Sequence, residues 1–295
     1  MRWTWGALAA LVVLATGPAV AQQQPGGPQR DPFNGQFGDI AIAQPPREAA
    51  RQARIMGEAL AALQPQRPGH VDTYVISAGL WSDPVFEREA RQAEEVLRAH
   101  FGAEGRSITL SAGGDGERRF PAASATNLAA AIGQVGALID PEEDLVVVFI
   151  TSHGSPDGSA ALREHNRLGG ALKPTHMRDL LVGAGIRNRV VIVSACFSGA
   201  FIAPLMDDNT IVLTAAAPDR TSFGCQPQNN WTFFGDALFN QSLRNGGSLV
   251  PAFDQAKTLI ERWEREQRLT PPSNPQRHVG ARAADLVRRA ERARR

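Results

Sequence analysis

The chain has 295 residues, with 31 basic and 30 acidic side chains and a formal net charge of +1 at pH 7. That balance argues against a nucleic-acid partner, which would leave a basic footprint, and against a polybasic membrane contact. With only two cysteines the chain is not a disulfide scaffold, and it is long enough to build a core without one.

Met1 to Ala21 reads as a leader. It carries Arg2, an apolar run from Ala7 to Ala15, and Ala19-Val20-Ala21 before Gln22, the small-residue pattern of a signal-peptidase site. The run is short for a membrane-spanning helix, and no cysteine follows the cleavage point to carry a lipid. The expectation is a signal peptide at 1–21 and an exported protein, periplasmic or secreted, with no stable membrane insertion after cleavage. The alternative is an uncleaved anchor. Residues 22–46, which include Gln22-Gln23-Gln24-Pro25-Gly26-Gly27-Pro28, cannot bury a core and read as a flexible lead-in. Residues 47–280 suit one domain, and 281–295 reads as a basic tail, either helix or frayed end.

Within the domain, Asp72 to Gly79 reads as a strand ending at Gly. Val85 to Phe101 repeats apolar residues with a helical period, and Ser82 or Asp83 before Pro84 is a plausible start. Ser107 to Leu110 is a short strand, Gly113 to Gly116 a turn, and Thr126 to Leu138 an amphipathic helix. Asp144 to Ser152 is an apolar, β-branched run that stops at His153-Gly154. A Gly-rich stretch through Gly169-Gly170 and a short helix from Pro174 to Val182 follow. Arg189 to Ala195 is a second such run, stopping at Cys196-Phe197-Ser198-Gly199. After a short segment to Met206, Thr210 to Ala216 reads as another strand, Ala217 to Asn230 as a loop, and Thr232 to Leu243 and Pro251 to Leu269 as helices. Strands alternating with helices imply an α/β fold, with a parallel sheet covered on both faces.

Ligands of such sheets bind beyond the carboxyl ends of the strands. Two strands therefore deliver an imidazole and a thiol to the edge where chemistry occurs, the layout of a cysteine nucleophile with a histidine base. A free thiol has a pKa of about 8.5, so a nearby imidazole is needed to supply thiolate at neutral pH. Cys196 also opens a helix turn whose amides favour an anion, and Gly154 and Gly199 let the backbone approach a substrate. Against this, a cysteine ending an apolar strand is often a small buried hydrophobe. Cys225 reads as a buried thiol or pocket wall, since a Cys196–Cys225 disulfide would abolish the chemistry. His165 and His176 fit no metal spacing and read as surface residues. His70, His100 and His278 read as structural, and Glu261 to Arg268 as a solvated face.

These motifs resemble the legumain family of cysteine endopeptidases, in the caspase-like clan, from about residue 72 to 245. The resemblance rests on His153-Gly154-Ser155, Ala195-Cys196 with Ser198-Gly199, and Thr214-Ala215-Ala216 at the ends of apolar strands. Ser222-Phe223-Gly224-Cys225 and Thr232-Phe233-Phe234-Gly235-Asp236 add to it. It implies a caspase-like three-layer α/β/α sandwich with a mostly parallel sheet of about six strands. It also implies cleavage of peptide bonds in peptide or protein substrates with no metal and no cofactor. Carried over, Cys196 is the nucleophile, His153 the base, and the amides of Gly154 and Cys196 the oxyanion hole. Asp83, two positions after Trp81, is the candidate to orient His153.

In the asparagine-specific members an acidic residue follows the nucleophile, and here Phe197 stands there. Their pocket arginine has no clear counterpart, because Arg88 is not in register. Asp236 matches an acidic pocket residue of the family, and Ser222 is a candidate to line the same pocket. An acidic pocket without its arginine favours a basic P1 side chain, because a carboxylate left unpaired is costly. The competing role for Asp236 is a helix-start acid stabilised by the dipole. Two other readings stay open: a catalytically silent protein-binding module, and a transpeptidase or transamidase using the same acyl-enzyme. An α/β-hydrolase is disfavoured, since no Gly-x-Ser-x-Gly elbow occurs.

Overall fold

The structure, a computed structural model, describes residues 45–113, 119–163 and 169–293. The leader expected at 1–21, nearly all of the lead-in at 22–46, most of the turn at Gly113 to Gly116, and His165 lie outside these residues.

Five parallel strands and one antiparallel strand form the central sheet, in the order β2-β1-β3-β6-β7-β8. They are β1 (Thr73–Gly79), β2 (Ser107–Ser111), β3 (Leu145–Thr151), β6 (Arg189–Ser194), β7 (Thr210–Thr214) and the antiparallel β8 (Gln276–Val279). A separate antiparallel hairpin joins β4 (Ala160–Arg163) to β5 (Gly169–Leu172). Every residue of β1, β3, β6 and β7 is buried, which explains why their sequences are continuous apolar runs rather than alternating ones.

The two-residue period of the strands divides the core in two. On one face Ile76, Val148, Ile150, Val191 and Val193 pack with α1 (Pro46–Ala61), α3 (Ala125–Leu138) and α4 (Pro174–Gly183). On the other, Val75, Val147, Phe149, Ile192 and Leu213 pack with α2 (Pro84–Phe101), α7 (Leu249–Glu266) and α8 (Ala281–Ala293). The segment after Thr232 joins this second face as α6 (Phe233–Gly235), which continues as a π-helical turn over Asp236–Leu243. Each fully buried Val, Leu, Ile or Phe contributes about 1.5–3 kcal/mol. The architecture is the α/β/α sandwich expected, with a mostly parallel six-stranded sheet.

Helix α1 and strand β8 were not expected from the sequence, and the tail takes the helical one of its two expected forms. Helix α1 begins where the lead-in was drawn to end; it docks through Met56 and Gln52, whose Oε1 accepts from the Ala122 N–H at 2.9 Å. Strand β8 has the polar sequence Gln-Arg-His-Val, because it is an edge strand that buries little. The basic tail after residue 280 is helix α8, which buries Ala283, Leu286, Val287 and Ala290. Its Glu291 meets Nε2 of the buried His100 at 3.0 Å and accepts from the first amide of α7 at 2.8 Å, so its acid is structural.

Candidate active site

Strands β3 and β6 pair in register, with Thr151 opposite Ser194 as the last pair. The Ser152 N–H then donates to the Ser194 carbonyl at 3.0 Å. His153 and Cys196 each lie two residues beyond that pair, so the sheet places both at the same height on its carboxyl edge. The next residue holds them close. A Cβ on Gly154 would lie 1.9 Å from the Cys196 carbonyl oxygen and 3.0 Å from its nitrogen. Only glycine lets the backbone after His153 touch the backbone of the cysteine.

His153 is fixed from three sides. Its Nε2 lies 3.2 Å from Oδ2 of Asp83, and its ring meets Phe86 and Trp81 edge-on, with centroids 4.9 and 5.5 Å apart. Its carbonyl accepts from the Ala161 N–H at 2.8 Å. An imidazole that donates Nε2–H to a carboxylate carries its lone pair on Nδ1. The β4–β5 hairpin supports this arrangement from behind. The Arg163 N–H donates to the Leu80 carbonyl at 2.8 Å, and the Arg163 guanidinium lies 5.3 Å from the Trp81 ring centroid. Asp83 is the N-cap residue of α2, with Pro84 next, but its side chain makes no capping bond.

Cys196 is half-buried. Its sulfur accepts from the Ser222 N–H at 3.3 Å and lies 3.7 Å from Ser222 Oγ. An N–H aimed at sulfur interacts more strongly with a thiolate than with a thiol. Among the described residues, the Gly154 and Cys196 amides donate to no protein acceptor. They are two donors left unused at the strand ends that carry His153 and Cys196. Phe197 follows with φ 59, the left-handed region, which costs a bulky residue on the order of 1–3 kcal/mol. Its N–H donates to the Arg220 carbonyl at 2.7 Å. The helix turn expected at Cys196 starts at Ser198 as a 3-10 segment to Phe201 and continues directly as the one-turn helix α5 (Ile202–Leu205).

Both cysteines are free. Burial pushes the Cys225 thiol up, and the acidic charges of Asp83 and Glu89 add to this. Asp236 lies elsewhere. Its Oδ1 accepts from Asn240 Nδ2 at 2.7 Å and Gln241 Nε2 at 3.4 Å, one turn along its own helix. It faces a cleft of about 470 Å³ shared with Asn229, Trp231 and Trp263, which neither His153 nor Cys196 lines. The structure therefore brings together His153, Gly154, Cys196, Asp83 and Ser222, and sets Asp236 apart. Arg88 donates to the carbonyls of Pro227 and Asn229, tying α2 to the loop before α6.

Among the described residues, the remaining histidines bond to backbone: His70 to the Pro68 carbonyl, His176 to the Lys173 N–H, and His278 to the Asp207 carbonyl. Among the described residues, no group of three or more His, Cys, Asp or Glu side chains is arranged to hold a metal.

Sequence reasoning missed Glu89. Its side chain is fully buried, and its carboxylate accepts from Thr151 Oγ1 and from the Thr232 hydroxyl and N–H. Burial pushes its carboxyl up, and these hydrogen bonds oppose the shift. A signal was available. Glu89 lies three residues after Phe86 and four before Ala93, on the apolar stripe of α2.

The family model described as the peptidase C13 family matches residues 116–280. No curated protein matches the chain. Among solved structures, the chain is similar to a crystal structure of caspase-1 from Spodoptera frugiperda. Identity is 11%, 74% of this chain and 89% of that chain are covered, and the TM-score is 0.47. The family match takes in more than half of the chain, including both strand ends with His153 and Cys196, and the chain therefore belongs to the peptidase C13 family.

Proposed function

We propose that the protein is a cysteine endopeptidase acting through Cys196 and His153. The observation that supports this most strongly is the placement of both residues two positions beyond the Thr151–Ser194 pair, with Gly154 packed on the Cys196 backbone. In the proposed reaction His153 takes the Cys196 proton and the sulfur attacks the scissile carbonyl carbon. The oxyanion forms against the Gly154 and Cys196 amides, where each lost donor would cost about 10²–10³ in rate. Its collapse breaks the C–N bond, and His153 returns the proton to the leaving amine. Water then hydrolyses the thioester. Asp83 orients the imidazole, and Ser222 borders the sulfur.

Peptides or proteins are the substrate class that the family implies. A preference for basic P1 side chains is part of the proposal. It is carried from the sequence, where Asp236 matches an acidic pocket residue and Phe197 stands in place of an acid. Because Asp236 faces a cleft that neither His153 nor Cys196 lines, a basic P1 side chain would have to extend from the dyad into that cleft to reach it. Action outside the cytoplasm rests on the leader pattern at 1–21.

A peptide library varied at P1 tests the reading, with wild type and Cys196→Ala, with and without iodoacetamide. The expected result is hydrolysis by wild type, lost on alkylation of Cys196 and reduced on the order of 10³-fold or more in the variant. Turnover that survives both treatments would overturn the assignment. Acyl transfer to an added amine in place of water would make the enzyme a transferase.

A further inference from the structure

We propose that Glu89 is a positioning residue that sets the separation of the two strand ends carrying His153 and Cys196. This rests on the peptidase reading above. One oxygen of Glu89 accepts from Thr151 Oγ1, at the end of β3. The other accepts from Thr232 Oγ1 at 2.6 Å and from the Thr232 N–H at 3.2 Å. Thr232 Oγ1 lies 3.1 Å from Ser194 Oγ, at the end of β6, and accepts from the Gly235 N–H at 3.1 Å as the cap of α6. Thr151 and Ser194 are the last register partners of β3 and β6, two residues before His153 and Cys196. A single carboxylate thus holds β3 directly and β6 through Thr232.

The fit is close-packed. A Cβ on Gly235 would lie 1.9 Å from Glu89 Oε1, so no side chain fits between the start of α6 and the carboxylate. Helix α2 carries Asp83 at its start and Glu89 in its second turn. One rigid element therefore presents the partner of the imidazole and the anchor of both strands. Cutting the network would leave the hydroxyls of Thr151, Ser194 and Thr232 around a void, each having lost or weakened a bond in a buried setting. A nucleophile and base displaced by about 1 Å lose on the order of 10²-fold in rate, so a distant anchor of this kind acts on kcat.

The test compares wild type, Glu89→Gln, Glu89→Ala and Thr232→Val by peptide kcat and KM and by the rate at which iodoacetamide alkylates Cys196. All are measured well below each variant's Tm. Glu89→Ala should lower kcat by about 10–100-fold, leave KM within about threefold, and slow alkylation of Cys196. Glu89→Gln keeps an acceptor oxygen for Thr232 and presents its Nε2 as a donor to Thr151 Oγ1, whose hydroxyl can accept in turn, and should recover most of the lost kcat. Thr232→Val cuts the link to Ser194 with the carboxylate still in place and should lower kcat in the same way, which covers the case in which Glu89→Ala does not fold. A lower Tm with kcat, KM and alkylation unchanged in the folded variants would overturn the proposal and leave the peptidase reading standing. If wild type cleaves no peptide, the peptidase reading falls instead, and equal alkylation rates across the series would then overturn the anchor.

Discussion

Asp83 stands at the N-cap position of α2, yet its carboxylate meets His153 Nε2 at 3.2 Å and makes no bond to the helix amides. Pro84 in the first turn has no N–H to satisfy and a φ already suited to a helix. The chain can therefore start α2 without a side-chain cap, and the acid is left for the imidazole.

Loss of that acid should separate activity from stability. Asp83→Ala is expected to lower kcat by about tenfold or more, since an unoriented base loses part of the 10²–10⁴-fold that general acid–base catalysis supplies. Stability should change by only about 0.5 kcal/mol, because the side chain is partly exposed and caps nothing. Steady-state kinetics and thermal melts on the same preparation check this. A large drop in Tm with kcat unchanged would mean that Asp83 is a structural acid.

The two thiols should react in a fixed order. Cys196 is expected to be alkylated before Cys225. Burial raises the Cys225 pKa, so at any given pH less of it is thiolate than of an ordinary thiol. Its alkylation should rise only at pH values above the ordinary thiol range. Mass spectrometry after timed iodoacetamide treatment, without reductant and at several pH values, reads both sites. Faster modification of Cys225 at neutral pH, or a tryptic pair linked through both cysteines, would contradict this.

Asp236 separates two readings of specificity. If it selects basic P1 residues, Asp236→Asn should cut kcat/KM for Arg or Lys at P1 by about tenfold more than for neutral residues, since the wrong substrate leaves a carboxylate unpaired. Equal loss on both substrate types would make it the helix-start acid that its bonds to Asn240 and Gln241 describe. Strict cleavage after Asn would remove the basic-P1 proposal.

Asp144 gives the fold a pH slope of its own. Burial raises its pKa to about 6, although the Asp140 and Asp72 amides donate to it. The folded state then holds a proton that the unfolded chain releases near pH 4. Stability contributed by this group is full below about pH 4 and is lost as pH rises through about 6. Asp144→Asn should flatten that part of a Tm-against-pH curve. An unchanged slope would assign it to other groups.

The strand ends were legible because both signals coincide there: an uninterrupted β-branched run, then glycine at the point of close approach. His153 and Cys196 follow from that pattern. Ser222 and Asp83 reach them across the fold, and the bonds they make to sulfur and imidazole are tertiary. Helix α1 was hidden although it is amphipathic, because its sequence adjoins the Pro- and Gln-rich lead-in and only Gln52 and Met56 of it are buried. Strand β8 was hidden because it is a short polar edge strand. Glu89 was hidden for the opposite reason. A charged residue on an apolar stripe reads as a lapse in the pattern until its hydroxyl partners, which lie in distant parts of the chain, are seen around it.

Strand β8 runs antiparallel along β7, with Val279 opposite Ile211 and Gln276 opposite Thr214. It covers one side of a strand that is buried along its whole length. A chain shortened to end at residue 275 would expose the row of main-chain amides and carbonyls on β7, next to the apolar surface that α8 had covered. Such an edge is a template for another copy of the same chain. The shortened protein should self-associate through its sheets, and its loss of activity should be accompanied by aggregation.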